Sequence, residues 1–144
     1  MNCIICELSA RRAPASFVYE SEEVFAIMTL EQPNPYKVMV CPRAHVEAVY
    51  DLTDAQATSV FAATVRIARA VRDASKCDGL NLVQSNGRAA GQDVAHFHLH
   101  IVPRRHGDGI RLDWDNTPLA RDTLERFAHE IRERLDLRAR PLAR

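Results

Sequence analysis

The apolar residues of this chain change period twice. From residue 17 to residue 41 they come in short, dense runs: Phe17-Val18-Tyr19, Val24-Phe25-Ala26-Ile27-Met28, and Tyr36 to Cys41. Runs of this length, rich in aromatic and β-branched side chains, predict strands. Glu31-Gln32-Pro33-Asn34-Pro35 reads as a turn, because two prolines cannot serve a ladder, and Pro42 closes the third run. The period then lengthens. Val60, Phe61, Thr64, Ala68 and Val71 share one helical face, and Thr53-Asp54-Ala55-Gln56 has the capping-box pattern ahead of them. A core-packing helix is predicted over roughly 53–76.

After Cys77-Asp78-Gly79 the short runs return. Leu80 to Gln84 predicts a strand, residues 85–91 a loop with two glycines, and His96 to Val102 another strand, stopped by Pro103. Residues 105–109 read as a second loop. Leu124, Phe127, Ile131 and Leu135 then recur at 3-4-4 spacing, with Thr117 as the cap and Pro118 as the first residue of a second helix. Leu137 to Arg144 reads as a flexible tail. Hairpin-length connections between the early strands favour an antiparallel sheet. The prediction is one α+β domain over residues 1–144, with about five strands, one long crossing helix and a C-terminal helix.

Composition narrows the function. A chain of 144 residues, 47% hydrophobic and 26% charged, is long and apolar enough to build a core without disulfide staples. Its 19 basic residues balance its 19 acidic ones, so bulk charge gives no reason to bind a nucleic acid polymer or an anionic membrane. The first seven residues lack the basic flank and apolar run of a signal peptide, and no stretch approaches a membrane span. Cys3, Cys6, Cys41 and Cys77 are not spaced as a disulfide framework, which points to a reducing, cytoplasmic location. There Cys3-x-x-Cys6 reads as a metal half-site or as two free thiols.

The uneven feature is histidine. Three of the six lie within five residues, at 96, 98 and 100. On a strand they would share one face, about 6.6 Å apart, while Phe97, Leu99 and Ile101 face the core. Such a face suits either a metal site or nucleophilic attack on phosphorus by the middle ring. The outer pair would be about 13 Å apart, too far for one ion without a bent strand. The glycines at 87 and 91, which let backbone N–H groups approach anionic oxygens, favour phosphate.

Gly91-Gln92-Asp93-Val94-Ala95-His96-Phe97-His98-Leu99-His100-Ile101-Val102 resembles the signature of the histidine triad (HIT) family of nucleotide hydrolases and transferases. Cys3-x-x-Cys6, Val40-Cys41-Pro42-Arg43-x-His45 and Asp78-Gly79-Leu80-Asn81 extend the resemblance over roughly residues 2–107. It implies a HIT-like fold and a chemistry. His98 would attack the α-phosphorus of a nucleotide, giving a nucleotidyl-histidine that water then hydrolyses. One ring nitrogen must be a free base while the other donates to a backbone carbonyl. His100 would contact the phosphate oxygens, with Gly91, Gln92, Asp93 and Ser85 as further substrate-binding candidates. Cys3, Cys6, His45 and His96 would hold a structural zinc. No organic cofactor is implied, and a homodimer is. A nucleoside phosphoramidase would use the same residues, and a nucleotide-binding regulatory protein is the reading from another class.

The chain also departs from the family pattern. Asp93 stands where Ser or Thr is common, and an ionised carboxylate repels phosphate. Thr29 stands where an acidic residue often meets the ribose, Ser85 where Asn is common, and Tyr36-Lys37 replaces a usual Gly-His. Lys37 reads as a solvated residue. Arg104 and Arg105 read either as contacts to a polyphosphate leaving group or as a solvated basic turn. Trp114 reads as a packing anchor or a cover over the leaving group.

Overall fold

A computed structural model describes residues 3–112 and 118–139. Trp114 and Thr117 therefore lie outside the described residues. The chain divides into two compact units, residues 1–110 and 111–144.

The first unit carries α1 (Ile4–Ser9), five strands and α2 (Asp54–Ser75). The strands are β1 (Phe17–Glu20), β2 (Val24–Met28), β3 (Val38–Pro42), β4 (Gly79–Gln84) and β5 (Leu99–Arg104). They form one sheet in the order β1-β2-β3-β5-β4, and every neighbouring pair is antiparallel. The expected α+β architecture is present. Both faces of the central strands are covered, so β2 and β3 are buried almost without interruption. One face (Val24, Ala26, Val38, Val40, Leu99, Ile101) packs on Val60, Ala63, Ile67 and Val71 of α2. The other (Phe25, Ile27, Met39, Cys41) packs on Cys3 and Ile5.

α2 starts where the sequence says. Thr53 accepts from the Gln56 N–H, and the Gln56 side chain accepts from the Thr53 N–H. At its other end the Arg105 guanidinium donates to the carbonyls of Ser75 and Lys76, which need partners once the helical ladder stops.

Some boundaries differ from expectation. The short α1 lacks the length to show a periodic pattern. The third strand starts at Val38, because Tyr36 adopts φ +74, a left-handed turn conformation. The strand expected from His96 starts at Leu99. Pro42 is the last residue of β3, one position beyond the expected stop, and Pro103 sits inside β5, which runs on to Arg104. The carbonyl of Pro42 accepts from His96 and that of Pro103 from Asn34. In an antiparallel strand N–H and C=O of one residue point the same way. Each proline nitrogen therefore faces a side where no ladder requires an N–H.

The second unit contains α3 (Arg121–Ala139). It begins three residues after Pro118, and it runs into the segment expected to be a tail; residues 140–144 lie outside the described set. Leu124, Phe127, Ile131 and Leu135 are 40–61% exposed. Among the described residues no helix is long and apolar enough to cross a membrane.

Candidate active site and metal cluster

The segment from Val94 leads into β5 and carries the three histidines onto the sheet face opposite α2. His100 is opposite Met39 of β3 and Val83 of β4, whereas Phe97, Leu99 and Ile101 enter the α2 core. The alternation expected from the sequence therefore holds, although only His100 of the three lies in the ladder.

His98 is 8% exposed. Its Nδ1 lies 2.7 Å from the His96 carbonyl oxygen. A carbonyl only accepts, so Nδ1 carries the proton and Nε2 keeps a lone pair. The ring meets His100 edge-on, with centroids 5.2 Å apart. Asp93 Oδ1 stands 4.0 Å from His98 Nε2, at the end of a side chain that is 85% exposed. His100 is held down to about pKa 4, first by burial and then by the positive charge of Lys37, with Asp93 acting in the opposite sense. It is neutral near pH 7, and its Nδ1 is buried without a hydrogen-bond partner.

The glycine loop folds on itself. Gly87 and Gly91 take φ +79 and +84, which side-chain-bearing residues rarely adopt. The N–H groups of Ala90 and Gln92 donate to the Gly87 carbonyl, and that of Gly91 donates to the Arg88 carbonyl. The Gln92 side chain accepts from the Gly87 N–H and donates to the carbonyls of Glu47 and Val94. Gly91 and Gln92 thus brace the loop. Their hydrogens, expected to face phosphate, are already used. Ser85 is half-buried and shares no hydrogen bond with His98 or His100; its carbonyl accepts from Gln84.

Three more expectations resolve into local structure. The Thr29 hydroxyl donates to the Glu31 carbonyl and shapes the β2–β3 loop. Arg104 makes a two-point pair with Asp108 and also donates to Asn81 and the Ile110 carbonyl. This pairing holds the Asp108 carboxyl far below the usual carboxylate range. Arg105 is spent on the end of α2. Arg104 is half-buried in this network, whereas Arg105 is exposed and ties its guanidinium to the end of α2. Lys37, expected to be solvated, is half-buried and within electrostatic reach of His100, and sequence reasoning missed Asn86, whose side chain accepts from the Val49 N–H. The strand register was the available signal for Lys37.

Cys3, Cys6, His45 and His96 converge, with one potential ligand atom from each within 4.8 Å of the others. Cys3 is the N-cap of α1 and Cys6 lies one turn later, so the missed helix sets the separation of the two thiols. His96 Nδ1 lies 3.5 Å from both sulfurs, and His45 Nδ1 lies 3.4 Å from Cys6 Sγ. Zinc bonds of about 2.3 Å to sulfur and about 2.05 Å to nitrogen, meeting at the tetrahedral angle, place S and N about 3.6 Å apart. The donor set and its spacing both fit. His96 Nε2 lies 2.9 Å from the Pro42 carbonyl, which puts the proton on Nε2 and turns a lone pair on Nδ1 toward the sulfurs. Burial, and next the hydrogen bond with Cys3, push the Cys6 thiol up. A divalent cation reverses that preference by binding thiolate. The four residues form a cluster able to hold a metal.

Comparison with known proteins places this geometry. The HIT domain family model matches residues 10–107. "Protein hit" of Bacillus subtilis is 43% identical over 114 residues, covering 78% of this chain and 79% of its own. The bis(5'-adenosyl)-triphosphatase of Dictyostelium discoideum is 31% identical over 79% of this chain and 81% of its own. The adenosine 5'-monophosphoramidase hnt1 of Schizosaccharomyces pombe is 23% identical over 94% and 99%. Among crystal structures, a HIT family member from Bacillus subtilis superposes with a TM-score of 0.89 at 37% identity, covering 93% of this chain and 97% of that one. A zinc-bound histidine triad family protein from Mycobacterium smegmatis gives 0.72 at 32% identity, covering 94% and 96%. With the triad on one sheet face, the cysteine–histidine cluster joined to it through His96 and a family match across most of its length, this chain belongs to the HIT domain family.

Proposed function

We propose that the protein is a nucleotide hydrolase that attacks the α-phosphate of dinucleoside polyphosphates or similar nucleotides. The observation that carries this reading is the His98–His96 hydrogen bond, which leaves Nε2 unprotonated on a rigid base. Nε2 attacks phosphorus, the bond to the leaving phosphate oxygen breaks, and that oxygen departs with its electron pair. Water then attacks the same phosphorus. The N–P bond breaks, a mononucleotide leaves, and His98 is regenerated. His100, neutral and adjacent, offers a ring N–H to the phosphate oxygens as negative charge builds up. Cleavage of a P–N bond would follow the same course, and relatives named for both activities support keeping it as the second reading.

The zinc of this reading is structural. Cys3, Cys6, His45 and His96 would hold it, and it would fix the His96 ring at the start of the catalytic segment. Homodimerisation is part of the proposal. β4 is a sheet edge with Leu82 exposed, and the exposed apolar residues of α3 offer further surface. The two units then act as one HIT domain, in a cytoplasmic setting that keeps the four thiols reduced.

The test is a rate panel on dinucleoside polyphosphates, nucleoside phosphoramidates and nucleotidyl sugars. Fastest mononucleotide release from the dinucleoside polyphosphates is expected. Tight nucleotide binding with no turnover of any substrate would instead identify a regulatory binder. Asp93 gives a second check. Its carboxylate stands beside the attacking nitrogen, where it repels an arriving phosphate by about 1 kcal/mol through water. Asp93→Asn should therefore lower KM, by roughly threefold to fivefold. A raised KM would show that Asp93 makes a favourable contact with the substrate.

A further inference from the structure

The proposed site lacks an obvious source of positive charge. The loop N–H groups at 87, 90, 91 and 92 are used within the loop. Arg104 and Arg105 are committed to Asp108 and to the end of α2. His100 is neutral near pH 7, and the nearest carboxylate to His98 adds negative charge. A phosphate chain would still need a cation.

The strand register identifies one. Met39 is opposite His100 and Val38 is opposite Ile101. Lys37 precedes Val38, and its carbonyl continues the contact between β2 and β3 by accepting from the Thr29 N–H at 3.4 Å. Alternation then puts the Lys37 side chain on the same face as Met39 and His100. It sits one diagonal step from His100, about 7–8 Å between backbones and within reach of a long side chain. The backbone of Lys37 is clamped at both polar atoms. Its N–H donates to Gln32 Oε1 at 2.8 Å, and its carbonyl accepts from Gln32 Nε2 at 2.8 Å. Tyr36, just before it, takes a left-handed turn, so the chain enters β3 at a fixed angle. Among the described residues no carboxylate pairs with the Lys37 ammonium, though the residue is half-buried. A cation without a carboxylate partner, on the same sheet face as the neutral His100 ring and within its electrostatic reach, is a prepared anion site.

We propose that Lys37 binds the phosphate of the substrate beside His100, as the charged anchor of this site. This rests on the nucleotide-hydrolase reading and assigns its specificity: the ligand must carry an anionic phosphate that reaches both Lys37 and His100.

The experiment compares the parent with Lys37→Met and Lys37→Arg. Binding of adenosine monophosphate is followed by calorimetry at low and high salt, and hydrolysis of a dinucleoside polyphosphate is followed by rate. Lys37→Met should weaken binding about tenfold and flatten its salt dependence, with the change in turnover falling mainly on KM. Lys37→Arg should restore binding to within a few-fold of the parent. If Lys37→Met binds adenosine monophosphate as tightly as the parent, with the same salt dependence, the assignment is overturned while the hydrolase reading stands. If the parent neither binds nor cleaves any nucleotide, the hydrolase reading itself fails. Thermal melting of Lys37→Met at the parent's temperature excludes misfolding as the cause of a loss.

Discussion

His98→Ala should reduce mononucleotide release by on the order of 10³-fold or more, with the folded structure retained. A loss of that size is about 4 kcal/mol of transition-state stabilisation, since each tenfold is about 1.4 kcal/mol. The direction follows from geometry. The His96 carbonyl fixes the proton on His98 Nδ1, so Nε2 is a nucleophile without a separate base to prepare it. Alanine removes that nitrogen and leaves His100 in place. His100 cannot replace it, because the two rings meet edge-on at 5.2 Å and its Nδ1 is buried. The fold should survive, because the side chain's single hydrogen bond is to the carbonyl two residues earlier. Two measurements decide the matter: steady-state rates, and the mass of the chain after quenching at alkaline pH, where a phosphorus–nitrogen bond persists. The parent should gain one nucleotidyl group and the alanine variant none. Equal rates in the two proteins would refute nucleophilic catalysis by His98.

Features governed by local rules were legible in the sequence. The capping box located the start of α2 to the residue, and alternation gave the sides taken by Phe97, Leu99 and Ile101 against the histidines. What escaped depends on partners distant in sequence. α1 spans six residues, too few to display a period, and it is held in place by Arg43, which donates to the Ser9 carbonyl across 34 positions. Pro103 reads locally as a strand breaker, yet β5 continues to Arg104, and the side chain that uses the Pro103 carbonyl comes from residue 34. Gln92 and the glycines were recognisable as a motif, but a motif does not tell whether a hydrogen faces a ligand or a neighbouring carbonyl. Lys37 is the converse case. Locally it is a polar residue after a turn, and only the pairing of β3 with β5 brings it to His100.

Loss of the metal should cost both stability and activity, and the reason lies in the two ends of one residue. His96 points Nδ1 at Cys3 and Cys6, and its own carbonyl holds the Nδ1 proton of His98. Whatever fixes the His96 ring therefore fixes the acceptor that sets the tautomer of the nucleophile. Chelation, or Cys3→Ser, should lower the melting temperature. At free zinc 1,000 times its dissociation constant the linked stabilisation is about 4 kcal/mol, or roughly 10 °C for a chain of this size. Turnover should also fall at temperatures where the apo protein is still folded, because a loosened His96 lets His98 adopt the wrong tautomer or turn away from the substrate. Cys41→Ser is the control. Cys41 is a fully buried thiol, pushed up in pKa by burial, that belongs to no ligand set, so its replacement should leave zinc content unchanged. Metal analysis of the purified protein should give one zinc per chain in the parent and in Cys41→Ser, and well below one in Cys3→Ser. A parent that carries no zinc, and melts at the same temperature with and without chelator, would remove the metal from the account. The Cys₂His₂ cluster would then be a set of hydrogen-bonded side chains, with His96 held between the Pro42 carbonyl and the two thiols.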